Sequence, residues 1–162
     1  MDAGRSREWA DWVDVEARLP WLTTEPYLLE TDDLGRTLTS LEELGFRVVR
    51  VQAPQEGDLE SGLLVELSEG LGFTGLGAGS WAAFADRLWD LLTDGWHPPV
   101  AVIVEDADRL LAKDLHTFVR CVHKLVSLTE GVGFSDDRAQ RQVVYFFIGH
   151  WVEQPSSSSR TP

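Results

Sequence analysis

The run Val100-Ala-Val-Ile-Val104 offers no polar side chain to either side of an extended chain. A strand with one wet face alternates polar and apolar residues, whereas an unbroken apolar run between Pro98-Pro99 and Glu105 suits a strand covered on both faces. Strands of that kind belong to parallel sheets flanked by helices. Phe46-Arg-Val-Val-Arg-Val51 is β-branched and alternating, and Gln142-Val-Val-Tyr-Phe-Phe-Ile148 is again almost wholly apolar, so both read as strands. The fold class expected is therefore α/β, with a small parallel sheet of three strands flanked by helices. Tyr27-Leu28-Leu29 would make a fourth strand at an edge.

Helical spacing fills the intervals. Trp9, Trp12, Val13 and Ala17 fall on one face of a short helix within Arg7 to Leu22, which Pro20 stops. Thr31 or Asp32 can cap a helix whose inner face is Leu34, Leu38, Leu41 and Leu44, ended by Gly45. A second leucine-rich helix runs from Asp58 to Leu71, with Gly72 as its stop. Ser80 caps a third, Trp81 to about Thr93, with Trp81, Phe84, Leu88, Leu91 and Leu92 inward. The last helix is expected over about Asp114 to Leu128. The closing segment QPSSSSRTP is low in complexity and is expected to be disordered.

Charge narrows the function. The net charge of −13 comes from 27 acids against 14 bases. Ten of the acids lie between Asp58 and Asp108, where Arg87 is the only base. Such a field repels phosphate, so nucleic acid is not the expected partner, and it speeds encounter with a basic protein. One cysteine, Cys121, allows no internal disulfide and suits a reducing compartment. No run approaches a membrane span and the first residues lack an apolar leader core, so a cytoplasmic protein is expected, with no membrane partner.

Catalytic and cofactor motifs do not assemble. Gly70-Leu-Gly72-Phe-Thr-Gly75 matches G-x-G-x-x-G, but the dinucleotide fingerprint follows a strand, and here a helix precedes it. Glu105, Asp106 and Asp108 end the central strand and could hold Mg²⁺, although capping a helical turn is the ordinary role for such acids. His116 and His123 share a helix face while Cys121 points elsewhere, which does not make a zinc site. No nucleophile elbow occurs. No enzyme activity, cofactor or metal is expected.

Asp86 and Asp90 stand four residues apart on the polar side of the third helix, and Trp89 lies between them outside the apolar stripe. Acids beside an exposed indole have the composition of a protein-binding hot spot, although a merely solvated polar face has similar spacing. The preceding glycine loop, with Gly75, Leu76, Gly77 and Gly79 leading to Trp81, can bring backbone close to a partner.

From Phe46 to Gly149 the order of elements resembles the barstar family, inhibitors of barnase-type ribonucleases. Leu44-Gly-Phe-Arg-Val-Val-Arg-Val51 is followed by the leucine-rich helix ending Leu71-Gly-Phe73, and then by a loop and helix similar to the family signature F-P-x-(Y/F)-G-x-N-W-D-A-L-x-D-x-L. Here Thr74 replaces the proline, Ser80 the asparagine and Ala82 an aspartate. In the preferred register, which keeps Trp81 and the Ala85-Asp86 pair in step, Asp86 matches the family's key inhibitory aspartate. A register one helical turn along, with Asp86 and Asp90 on two family aspartates and Trp89 on the tryptophan between, fits almost as well. The second inhibitory carboxylate of the family, on the last helix, has no matching acid between Leu115 and Leu128.

The resemblance implies an extension over residues 1–45 with a helix packing on the core, a barstar-like domain over 46–152 and a tail over 153–162. It also implies a monomeric inhibitor or immunity protein whose contact residues are Asp86, Asp90, Trp89, Gly75, Leu76, Gly77, Gly79 and Trp81. The implied partner is a basic ribonuclease or ribonuclease-like toxin. The alternative is the same fold used as an interaction module without ribonuclease inhibition.

Overall fold

The computed structural model describes residues 12–73, 79–93, 98–135 and 141–152. Four strands, β1 (Tyr27–Glu30), β2 (Arg47–Gln52), β3 (Val100–Glu105) and β4 (Val143–Gly149), form one all-parallel sheet in the order β1-β4-β3-β2. The expected α/β class is found, with the fourth strand present. Val100, Ala101, Val102 and Ile103 of β3 are completely buried, as their unbroken apolarity requires.

Alternate strand residues feed two cores. On one face Val49, Val51, Val102, Val104, Tyr145 and Phe147 meet α3 (Leu59–Gly70), α4 (Trp81–Thr93), α5 (Ala107–Lys113) and α6 (Leu115–Ser135). On the other, Tyr27, Leu29, Ala101, Ile103, Val144, Phe146 and Ile148 pack with Val15 of α1 (Val15–Arg18) and with Leu34, Leu38 and Leu41 of α2 (Leu34–Glu43). Because β1 and β2 are opposite edges, the α2 connection carries the chain across the whole sheet.

The described part of residues 1–45 packs on the rest of the chain, as β1 pairs with β4 and α2 buries Leu41 against the sheet. The helix expected over Arg7 to Leu22 is, within the described residues, only the single turn of α1. Asp14 is extended there and its carboxylate caps the Ala17 N–H at 3.1 Å, which fixes the start beyond Trp12. The helix expected over about Asp114 to Leu128 is α6, which starts at Leu115 and runs on to Ser135, and the separate helix α5 precedes it. Asp114 is extended (φ −153°, ψ 91°) and breaks the path, then caps α6 by accepting 3.0 Å and 2.7 Å bonds from the Thr117 N–H and hydroxyl. The tail from 153 onward lies outside the described residues.

The end of α3 sets the direction in which the chain approaches α4. Gly72 takes φ +73°, and the N–H of Phe73 returns to the Ser68 carbonyl at 2.8 Å, closing a Schellman-type stop. That turn folds Phe73 back against Phe84 of α4, with ring centroids 5.6 Å apart. The chain thereby leaves α3 already pointed at the start of α4.

Candidate protein-binding face

Helix α4 has a sequence that resists other conformations: four alanines and leucines in its first eight residues and no β-branched residue before Thr93. Ser80 opens it, with its carbonyl accepting the Phe84 N–H at 3.0 Å and its hydroxyl lying 3.5 Å from the Ala83 N–H. Phe84, Leu88 and Leu92 are the buried stripe, each at most 2% exposed. Burial of three such side chains stabilises by about 1.5–3 kcal/mol apiece, which fixes the rotation of the helix about its axis.

That rotation decides what is presented. Ala82, Asp86, Arg87, Trp89 and Asp90 are all exposed, so the two carboxylates and the indole stand on the solvent side together. Trp89 is 37% exposed and the Asp90 side chain 61%. Arg87 reaches Asp90 at 4.0 Å, a loose contact between two half-exposed groups that contributes little. Helix α4 packs on α3 and α6, on the face of the sheet opposite α1 and α2. The described part of the first 45 residues therefore leaves this face uncovered.

Other expected contact residues sit differently. Trp81 is half-buried: its ring lies edge-on to Phe84 at 6.0 Å, and the Lys124 ammonium stands 5.0 Å from its centroid. Its indole N–H donates to Oε1 of Glu60. Gly79 is held near α3, its carbonyl 3.4 Å from the Ser61 hydroxyl. Gly75, Leu76 and Gly77 lie outside the described residues.

Glu60 is the residue that sequence reasoning missed. Besides the Trp81 indole it accepts from Nε of Arg120 at 3.3 Å and pairs with Nη2 of Arg120, while Lys124 approaches to 3.8 Å. The Arg120 hydrogen bonds hold its carboxyl below the usual range, with the Trp81 bond adding to them against partial desolvation. The chain itself shows only one more acid in the first turn of a helix. Its partner Arg120, sixty positions away, carries no local signal.

Among the described residues the remaining acids do not converge on a metal-binding cluster. Glu105 binds Arg50 through two bonds of 2.7 Å and 3.0 Å. Asp106 starts α5 in a left-handed conformation (φ 55°) beside Arg109, and Asp108 packs over Gly149. Among the described residues no cluster of three His, Cys, Asp or Glu side chains is placed to hold a metal ion. A cavity of about 320 Å³ opens between the first turns of α3 and α6, lined by Asp58, Glu60, Asp114, Thr117 and Arg120. Its carboxylates are committed, Asp58 to the Ser61 N–H, Asp114 to Thr117 and Glu60 to Arg120. Among the described residues no helix is long and apolar enough to cross a membrane. No protein-family model matches the chain, and no curated protein matches it.

Proposed function

We propose that this protein is a barstar-like inhibitor or immunity protein, monomeric and cytoplasmic, that blocks the active site of a basic ribonuclease or ribonuclease-like toxin. The observation that carries the reading is the joint exposure of Asp86, Trp89 and Asp90 on one side of a helix whose other side is locked in the core. A ribonuclease cleft gathers cations to bind successive phosphates. Two carboxylates one helical turn apart, about 6 Å along the axis, offer it negative charge at a comparable interval. Trp89 supplies the apolar area that charge alone lacks, since aromatic anchors carry much of the energy of protein interfaces. The net charge of −13 draws a basic partner in and raises the association rate.

The test is capture and inhibition together. The immobilised chain is presented with a panel of small basic ribonucleases of the barnase type, and RNA cleavage is followed as the free chain is titrated in. The expected result is stoichiometric binding with loss of cleavage. Capture that leaves cleavage intact would assign the fold to an interaction module, and failure to capture any of the panel would count against the ribonuclease.

A further inference from the structure

Glu60 stands where three helices meet, with its side chain 22% exposed. Oε1 receives the indole N–H of Trp81, the first residue of α4, and Nε of Arg120 from α6. Oε2 pairs with Nη2 of the same guanidinium, a forked geometry that fixes orientation as well as charge. The Lys124 ammonium lies against both the carboxylate and the Trp81 ring. Among the described residues Glu60 is the one carboxylate that pairs with Arg120 or Lys124.

We propose that Glu60 is the positioning residue of the acidic face, anchoring the start of α4 through Trp81 and cancelling the two cations that flank it. The inference rests on the binding reading of α4 for its functional meaning, though not for its structural content. The anchoring follows from what else holds this end of the helix. Phe84 begins the buried stripe a turn later, and among the described residues the hydrogen bonds just upstream are the Ser80 cap and the 3.4 Å approach of Ser61 to Gly79. Without the carboxylate, the indole N–H loses its acceptor, and the first turn of α4 is left with ring stacking and the weak Ser80 and Gly79 contacts.

The cancelling follows from distance. Trp81 and Asp86 are five residues apart, roughly 8 Å along the helix axis, which is within a Debye length of about 8–10 Å at physiological salt. Arg120 and Lys124 left unpaired beside Trp81 would therefore oppose the field of Asp86 and, more weakly, that of Asp90. Glu60 itself never needs to touch the partner.

Hydrogen exchange in the free protein separates these roles without any partner. In Glu60→Ala the amides of Ala85 to Trp89 are expected to exchange roughly tenfold faster or more, while those of β3 and β4 change much less. Glu60→Gln keeps an amide oxygen for the indole and should restore most of that protection. Trp81→Phe keeps the ring but not the donor, and should reproduce part of the alanine effect. Acceleration spread equally over the sheet, no acceleration at all, or no rescue by glutamine would overturn the anchoring role. With a barnase-type ribonuclease that the native chain captures, Glu60→Gln should slow association several-fold with α4 still protected. An unchanged association rate would overturn the cancelling role. Capture failing for the native chain would sink the ribonuclease reading while the exchange result still decided the anchor.

Discussion

Gly70→Ala tests whether the glycines ahead of α4 are there for packing or for a ligand. Gly70 is the last residue of α3, and a Cβ placed on it would lie 2.7 Å from Cγ1 of Val51 and 2.9 Å from Cγ1 of Val49. Carbon atoms prefer about 3.5–4.0 Å, so both contacts are deep in the repulsive range. Neither valine can swing away easily, because both are buried in β2 and β-branched side chains are stiff at χ1. Overpacking of this kind costs about 1–3 kcal/mol, and two simultaneous clashes place the cost near the upper end. Alanine returns about 1 kcal/mol through better helix propensity. The net destabilisation is then about 2 kcal/mol, which for a domain of this size lowers Tm by roughly 4–8 °C. Thermal and urea unfolding of Gly70→Ala, of Val51→Ala and of the double variant would measure it. The double variant should be more stable than the sum of the single effects, since Val51→Ala removes the closer clash. A Gly70→Ala protein as stable as the native one would refute the packing argument and return the glycine motif to the loop or to a ligand.

Asp86→Ala and Asp90→Ala, at exposed positions, should change stability by less than about 0.5 kcal/mol yet weaken ribonuclease capture by roughly tenfold or more. Asp58→Ala should do the reverse, losing about 1 kcal/mol with the α3 cap and leaving capture intact, and surface plasmon resonance beside thermal melts distinguishes the two. Association measured by stopped flow should slow steeply as salt rises from about 50 to 300 mM while dissociation changes little. Glu60, whose folded carboxyl is depressed below its ordinary 4.5, contributes stability in full above that value and loses it as pH falls through the folded one, so α4 protection should fade on acidification. The Cys121 thiol is 1% exposed and pushed up to about 11 chiefly by burial, so iodoacetamide near neutral pH should label it only through unfolding, at a rate that rises with urea.

The strands are legible in the chain because burial on two faces leaves its mark residue by residue. Val100–Glu105, Val143–Gly149 and Arg47–Gln52 differ from their sequence limits by no more than one residue at either end. Helix α4 is legible for a similar reason, since its apolar stripe alone turns Asp86, Trp89 and Asp90 outward. Strand order is not, because the neighbour of β1 is chosen by tertiary packing and β4 lies at the far end of the chain. The start of α6 at Asp114 is legible as a cap, whereas the short α5 before it carries too few turns to show a period of its own. The place of Trp81 after the loop does not reveal that its indole bonds Glu60 with Lys124 over its ring. Pairing between Glu60 and Arg120 is a property of the assembled layer, invisible to any window along the sequence.

The placement of β1 beside β4 ties an early segment of the sheet to the last one made. A ribosome has already released Tyr27–Glu30 and the greasy side of α2 when their sheet neighbours have yet to be made. The apolar side of α2 can settle on β2 and β3 as these appear, but β1 has no sheet neighbour until Val143–Gly149 emerges. Shortening the chain anywhere ahead of Val143 should thus yield an insoluble product rather than a smaller working domain.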